Sequence, residues 1–298
     1  MGINLSDDDY LLLLYACEQE YIKLDTIKTY IWNDRNQKSV NRRLNKLIKN
    51  NFLKRVDDPD PDTHYKKYLI TPTKYSLDLL KIKDEEGRLN KIRKKYNLAN
   101  IPINYFKEQD DYISFRDYHH NQELNKIRFE IEKSANIKWL PERLLKKEMF
   151  GWENEDIKNG LEISRHLVDG LLIKNDGTQV AIEHERSRKN NSRYSKIFAS
   201  LQLDKEIEEI LYILKGNSVY NHFINCFNKT YPLDKSNIDV KIEVKNFYFI
   251  TYNNLINEQG PVFQLSEHIP INDNDKIERD IRINNIGNLK DFLKGRGE

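Results

Sequence analysis

Residues 166–185 read HLVDGLLIKNDGTQVAIEHE, which is two apolar runs on either side of a short polar break. The runs are His166–Lys174 and Thr178–Glu185, and the break is Asn175-Asp176-Gly177. Asp-Gly between two apolar runs is a strong signal for a β-hairpin with a tight turn. The stretch therefore predicts two antiparallel strands in the C-terminal part of the chain.

Helical and strand-like segments alternate around this hairpin. A helix is predicted before it, with a cap at Ser114 and an apolar stripe through Leu124, Ile127, Ile131 and Ala135. After the hairpin we predict a helix with Tyr194, Lys196 and Phe198, a strand Ile210–Leu214, a helix Val219–Phe227 and a strand Phe247–Thr251. This order predicts an α/β domain (mixed α+β) with a mixed central sheet.

The first eighty residues predict a different unit, a winged helix-turn-helix. Ser6 with Asp9 forms a capping-box pattern ahead of a helix Leu11–Glu18, and Asp25 is placed to cap a second helix. A third helix, from Gln37 to Asn50, has Val40, Leu44, Leu47 and Ile48 on one face. Strands at Phe52–Val56 and Tyr65–Thr71, joined by the Pro/Asp turn Asp57–Asp62, then predict a β-wing.

The third helix carries a basic outer face, and residues 35–55 contain no acidic side chain. Lysine, arginine and asparagine on a helix of this kind suit phosphates and base edges in the DNA major groove. A charged run is often only a solvated helix face, but its single sign and its position favour DNA. The predicted DNA-binding residues are Lys38, Arg42, Arg43, Asn45, Lys46 and Lys49 on the helix, Lys66 and Lys67 on the wing, and Arg186 and Arg188 after the hairpin.

The predicted domains are 1–80 for the winged helix, 81–112 for a helical linker and 113–298 for the α/β domain. Lys74–Tyr96 reads as one long charged helix, and the segment after it has Pro102 and no clear period. The chain of 298 residues is long enough for two modest cores.

Bulk properties exclude some classes of protein and leave others open. The chain is 38% hydrophobic and 32% charged with a net charge of +2, which is polar but not the composition of a disordered protein. Cys17 and Cys226 have no disulfide or zinc spacing, which suits a reducing compartment. The acidic N-terminus differs from a signal peptide and the apolar run there is too short for a membrane span, so we expect a cytoplasmic protein.

Three carboxylates are predicted to meet at one end of the hairpin. Glu183 and Glu185 share a strand face, and the hairpin brings Asp169 close to that face. Carboxylate oxygens suit Mg²⁺ or Mn²⁺, and such an ion could polarise a scissile phosphate. Asp before Gly is often only a turn residue and strand-end glutamates are often only solvated, so a purely structural trio stays open.

A histidine pair near the N-terminal end of the predicted Leu124–Ile131 helix is a second candidate. The positive end of a helix dipole disfavours an imidazolium, so His119 and His120 would tend to stay neutral. His120 lies on the apolar stripe, where a histidine is at least as often part of the core as part of a site.

The motifs RHLVDGLLI (165–173), AIEHERS (181–187) and RYSKI (193–197) resemble the core of the replication-relaxation family, and in particular its MobC-type plasmid relaxases. That resemblance implies a restriction-endonuclease-like domain of the PD-(D/E)xK type behind a winged helix. It implies Asp169, Glu183 and Glu185 as ligands of Mg²⁺ or Mn²⁺, and Lys196 as a phosphate-facing catalytic group. Val168 stands where the family usually has proline, and Glu185 where the wider nuclease superfamily has lysine.

The resemblance implies a relaxase or nickase that binds the transfer origin of a plasmid or integrative conjugative element and cuts one strand. Its partners would be double-stranded DNA and accessory or coupling proteins of transfer, with no membrane, and a homodimer is compatible with it. The alternatives are a non-catalytic replication-initiation or copy-control factor and a restriction-type defence endonuclease. Tyr194 and water both remain open as the nucleophile.

Overall fold

The computed structural model describes residues 3–59, 68–101, 103, 106, 115–134, 137–142, 145, 168–203, 207–230, 246–257, 261–268 and 280–294. The chain is a mixed α/β protein that divides into two compact units, Met1–Phe129 and Glu130–Glu298. The predicted domain bounds 1–80, 81–112 and 113–298 stay a prediction. Among the described residues no helix is long and apolar enough to cross a bilayer.

The first unit is mainly helical and has a small antiparallel sheet. Its strands are β1 (Ile22–Lys23), β2 (Leu53–Asp57) and β3 (Tyr68–Pro72), in the order β1-β3-β2. The helices are α1 (Asp7–Gln19), α2 (Leu24–Thr26, continued by a π-turn Ile27–Ile31), α3 (Gln37–Lys49), α4 (Lys74–Glu85) and α5 (Arg88–Lys95). Helix α6 (Phe115–Ser134) begins in this unit and ends in the second, because the division falls after Phe129.

Local capping signals fixed two of the three helix starts that the sequence predicted here. The Ser6–Asp9 capping box is confirmed at the start of α1, and α3 begins at the predicted Gln37 behind an Asn36 cap. The predicted Asp25 cap is wrong, because the second helix already begins at Leu24 and Asp25 is exposed. Burial of Thr26 and Ile27 stabilises this helix.

The prediction of one helix over Lys74–Tyr96 is also wrong. α4 ends at Glu85, and α5 starts after Gly87, which has a φ of +70°. This left-handed conformation costs glycine little and ends the helix. The break allows Leu89 and Ile92 of α5 to be buried together with Leu77 and Leu80 of α4.

The second unit is built on a seven-stranded mixed sheet with the order β10-β9-β8-β7-β6-β5-β4. The strands are β4 (Lys138–Pro141), β5 (Gly170–Ile173), β6 (Gln179–Glu185), β7 (Glu209–Leu214), β8 (Asn246–Thr251), β9 (Pro261–His268) and β10 (Asp280–Asn288). Its helices are α7 (Asn191–Leu203), α8 (Asn217–Thr230), α9 (Tyr252–Ile256) and α10 (Leu289–Lys294).

The predicted hairpin is confirmed as β5 and β6, which pair antiparallel. Gly177 in its turn has a φ of +90° and donates its N–H to Lys174 O at 3.0 Å. The predicted helix, strand, helix and strand after it are confirmed as α7, β7, α8 and β8. The short strand β4 and the polar ribbon β9–β10 were not predicted, because neither has an apolar alternation long enough to read.

Parallel pairing in the middle of the sheet creates its main core. β6 pairs parallel with β7, and β7 pairs parallel with β8. On one face of these strands the core contains Ala181, Tyr212 and Phe249 together with aromatic side chains of α7 and α8. The aromatic rings are buried on this face, and the carboxylates of β6 extend from the same face.

Candidate nucleic-acid interface and carboxylate site

The outer face of α3 is basic and exposed, as the sequence predicted. Val40, Leu44 and Leu47 are buried, whereas Ile48 is only half-buried. The exposed side chains of this helix include Lys38, Asn41, Arg42, Asn45, Lys46 and Lys49. Lys66 and Lys67, the predicted wing residues, lie outside the described residues.

Arg43 is placed differently from the other basic residues of α3. Its guanidinium donates Nε–H to Asp9 Oδ1 at 2.9 Å and also pairs with Asp9 Oδ2, and Nη2 reaches Asn4 O at 2.8 Å. Asp9 is fully buried. This side chain therefore ties α1 to α3 and does not project with the exposed basic set.

Asn45 and Arg55 form a polar bridge from α3 to the strand that follows it. Arg55 Nη2 donates to Asn45 Oδ1, and the Arg55 guanidinium lies 4.2 Å from the ring centroid of Tyr68. The bridge links the exposed face of α3 to β2 and β3. It orients a guanidinium beside the predicted recognition helix.

The carboxylate site begins with Asp169, immediately before β5. Its backbone N–H donates to Ile182 O at 3.0 Å, and its Oδ2 accepts the backbone N–H of His184 at 2.7 Å. Trp139 packs so closely on Gly170 that a Cβ there would lie 2.5 Å from Trp139 Cζ2. Backbone pairing and this close contact fix Asp169 at the carboxyl end of β6.

Glu183 and Glu185 are buried on the core face of β6. They are 5% and 3% exposed, and alternation places both on the face of Ala181. The parallel register puts Glu183 opposite Tyr212 and Glu185 opposite Leu214. Buried carboxylates are costly unless they are paired, hydrogen-bonded or bound to a cation.

All three carboxylates affect the pKa of one hydroxyl, that of Tyr212. Burial raises the pKa of Tyr212 well above its usual value, and the negative charges of Glu183, Glu185 and Asp169 raise it further. Its Oη is inaccessible to solvent and has no hydrogen-bond partner among the residues that the structure describes. A buried unpaired hydroxyl among carboxylates fits a site completed by a bound, hydrated cation.

Glu185 forms an ion pair at the end of β6. Lys189 Nζ forms an ion pair with Glu185 Oε2, and Ser187 N–H donates to Glu185 Oε1 at 3.4 Å. The side chain of Lys189 is 18% exposed. An ammonium thus lies at the end of β6, beside Glu185.

The loop that carries Lys189 is held by α8. His222 Nε2 contacts Lys189 O at 2.6 Å, a geometry in which the ring nitrogen donates to the carbonyl. Arg188 donates Nε–H and Nη2–H to Ser218 Oγ at 3.1 and 2.6 Å. Two contacts with one helix fix the loop, so the ammonium of Lys189 is pre-positioned beside Glu185.

Other predicted site residues lie apart from this cluster. Lys196 is exposed on α7, while Tyr194, two residues earlier, is fully buried. Arg186 is half-buried, and Arg188 is exposed but bound to Ser218. His120 belongs to the first unit, where it is half-buried on α6.

Tyr194 is poorly placed to attack a phosphate. Burial raises the pKa of its hydroxyl well above the usual value, and the neighbouring carboxylate of Glu185 adds to the effect. Its side chain is fully buried against Phe198 and Phe223. A nucleophile needs both access and an accessible anionic form, and these surroundings supply neither.

No ready-made site with three protein ligands is present in the described part of the chain, where no group of three or more His, Cys, Asp or Glu side chains is arranged to hold a metal. Mg²⁺ commonly takes one or two carboxylates and completes its shell with water and phosphate oxygens. The residues thus fit a hydrated cation better than an all-protein cage.

Sequence reasoning missed Tyr212 altogether. Its strand was predicted, and alternation could have placed Tyr212 on the same face as Ile210 and Leu214. Its position opposite Glu183 depends on the parallel pairing of β6 and β7, for which the sequence carries no local signal.

The chain matches no protein-family model, no curated protein and no solved structure at a significant level.

Proposed function

We propose that the chain is a metal-dependent DNA endonuclease that binds DNA through its N-terminal unit and cuts one strand at the carboxylate site. The observation that carries the proposal is the group formed by the buried Glu183 and Glu185 and the half-buried Asp169 near the buried Tyr212 hydroxyl. The family resemblance calls for an Asp-bearing strand, a Glu-x-acid strand and then a helix. β5, β6 and α7 follow in that order.

The N-terminal unit supports the DNA-binding half of the proposal. Three helical segments precede a two-stranded antiparallel pair, which is the order of a winged helix. The exposed cations of α3 would contact phosphates, and Asn41 and Asn45 would face base edges. Arg55, held by Asn45 and Tyr68, would add a contact from the strand that follows.

In the proposed reaction Asp169 and Glu183 would hold the divalent ion. When bound, the ion supplies Lewis-acid stabilisation of the phosphate and lowers the pKa of a water. Lys189 would place its ammonium near the phosphate charge that develops, with Glu185 orienting it. The burial of Tyr194 favours water as the attacking group.

The role in a plasmid or integrative element, with nicking at a transfer origin, rests on the resemblance alone. The same site chemistry would serve a restriction-type defence nuclease. Nicking confined to one strand at one locus favours the relaxase, whereas cleavage of both strands at dispersed sites favours the defence enzyme.

A non-catalytic DNA-binding factor is the second candidate, because carboxylates of this site have partners within the fold. Glu185 is paired with Lys189, and Asp169 accepts a backbone N–H. If these contacts are permanent, the carboxylates form a structural polar cluster without catalytic activity, and the protein only binds DNA. Both candidates share the basic face of α3.

The test uses the full chain, supercoiled plasmid with the native flanking DNA, and Mg²⁺ or Mn²⁺ against EDTA. We expect open circles with metal, and no open circles for Asp169→Asn or Glu183→Gln. Glu208→Gln, which changes an exposed glutamate just before β7, is the matched control and should nick like wild type. Mn²⁺ binding measured by calorimetry should be lost in the same two variants.

If the protein retards the plasmid on a gel but never nicks it, at any metal concentration, the endonuclease is rejected in favour of the binding factor.

DNA binding is tested in a separate experiment. Lys46→Ala should lower affinity and reduce the salt slope by about one unit if it meets a phosphate. Lys91→Ala, an exposed lysine on α5, should leave the slope unchanged.

A further inference from the structure

Two large apolar side chains in the described part of the chain are more than a third exposed, and both lie on α4. Tyr75 is 49% exposed and Ile82 is 52% exposed. Single exposed apolar residues are normal on protein surfaces. These two are seven residues apart with the half-buried Leu79 between them, so they form one row on one helix face.

The row of Tyr75, Leu79 and Ile82 points away from its own unit, because the other face of α4 is the one that packs onto that unit. Ser76, Leu77 and Leu80 are the buried residues of this helix and pack it onto its own unit. Tyr75 is held in place by ring contact with Phe52, with centroids 5.1 Å apart. The outer row is therefore fixed in position and is not part of the unit's own core.

The charges beside this row have a self-complementary order. Along one edge they read Lys74, Asp78, Lys81 and Glu85, all exposed. If a second α4 lies antiparallel with Leu79 at the centre, Lys74 faces Glu85 of the second copy and Asp78 faces its Lys81. In the same arrangement Tyr75 of one copy faces Ile82 of the other.

We propose that this α4 face binds a second copy of the chain in a two-fold symmetric, antiparallel helix pair. The surface at a two-fold interface must be self-complementary, because residue i of one copy contacts residue j of the other and residue j of the first contacts residue i of the second. The apolar row and the alternating charges meet that condition together.

The pair is small, so the dimer is weak by itself. An apolar row of three residues per copy is smaller than the usual stable interface, so the expected dissociation constant is on the order of micromolar to tens of micromolar. The inference does not depend on the endonuclease proposal. It concerns only how copies of the chain associate.

The test is sedimentation equilibrium of the full chain without DNA, at low salt and up to about ten times the expected dissociation constant. Wild type should associate to a dimer. Ile82→Glu should raise the dissociation constant about tenfold or more by burying a charge in the apolar row. Lys91→Asp on α5 is the control for a changed surface charge, and it should dimerise like wild type.

A pair of charge reversals tests the antiparallel order directly. Lys81→Asp and Asp78→Lys should each weaken self-association, because each opposes like charges across the pair. An equal mixture of the two variants should associate more tightly than either alone, since the mixed dimer restores both contacts. The reversals alter exposed side chains, and circular dichroism of each variant checks that it is folded.

Three results would overturn the proposal. These are a wild-type chain that stays monomeric over this range, an Ile82→Glu variant that dimerises like wild type, and a mixture that associates no better than its components. The last result would reject the antiparallel register even if a dimer exists.

Discussion

Replacing Tyr212 by phenylalanine should stabilise the protein in the absence of metal. The Tyr212 side chain is 1% exposed, and its hydroxyl has no hydrogen-bond partner within the described part of the fold. A buried polar group without a partner costs about 1–3 kcal/mol, and phenylalanine removes the group while keeping the ring. The surrounding ring contacts with Phe223 and Phe247 do not involve the hydroxyl.

Tyr248→Phe is the matched control, because it makes the same change on the neighbouring strand. Tyr248 is 4% exposed, but its hydroxyl donates to Glu209 Oε1 at 3.5 Å. Loss of that hydrogen bond should cost about 1 kcal/mol. The two substitutions should therefore shift stability in opposite directions, although they remove the same atom.

Calorimetric unfolding of the full chain measures both effects. For a unit of about 170 residues, 1 kcal/mol corresponds to about 2–4 °C in Tm. We expect Tyr212→Phe to raise the Tm of the transition that Tyr248→Phe lowers. Added Mg²⁺ should then stabilise wild type more than Tyr212→Phe, since a ligand stabilises only through the contacts it makes with the folded state.

A lower Tm for Tyr212→Phe without metal would refute this reasoning. It would mean that the hydroxyl is already satisfied, and the argument for a cation among these carboxylates would lose its main support. Equal stabilisation of both proteins by Mg²⁺ would locate any ion away from Tyr212.

Three further predictions test other parts of the structure. Lys189→Ala should lower the cleavage rate by at least about tenfold, because it removes an ammonium near the phosphate, and Lys189→Arg should restore part of the rate. Lys196→Ala, on the exposed side of α7, is the control and should cleave at nearly the wild-type rate. Equal losses of rate in Lys189→Ala and Lys196→Ala would contradict the assignment of Lys189. Gly170→Ala should destabilise the second unit by about 1–3 kcal/mol, since its Cβ would lie 2.5 Å from Trp139 Cζ2, whereas Gly216→Ala meets open space and should be close to neutral in urea unfolding. Burial pulls the pKa of Asp9 upward, but Arg43 and Ser6 outweigh it and hold the pKa below its usual value, so Asp9 contributes stability above about pH 4 that is lost as pH falls through the folded pKa. Asp9→Asn should then be about 2 kcal/mol less stable than wild type at neutral pH, with the gap closing in acid; a gap that does not depend on pH would contradict the ion pair as its cause.

The sequence by itself determined the local elements whose signals are short-range. The Asp176-Gly177 turn, the Ser6–Asp9 capping box and the apolar period of α3 each depend on contacts within a few residues, so the printed order of residues is sufficient. Alternation along β6 likewise put Glu183 and Glu185 on one face before any partner strand was known.

The tertiary structure alone decided which side chains meet the carboxylates. Parallel pairing set Tyr212 against Glu183, and anchoring by α8 brought Lys189 to Glu185. The pairing of Tyr212 with Glu183 and the contact of His222 with Lys189 join residues far apart in the chain, where strand register and the packing of a whole helix determine the distance. The ion pair between Arg43 and Asp9 of α1 could not be predicted for the same reason, because Arg43 lies in a basic run that resembles an exposed helix face.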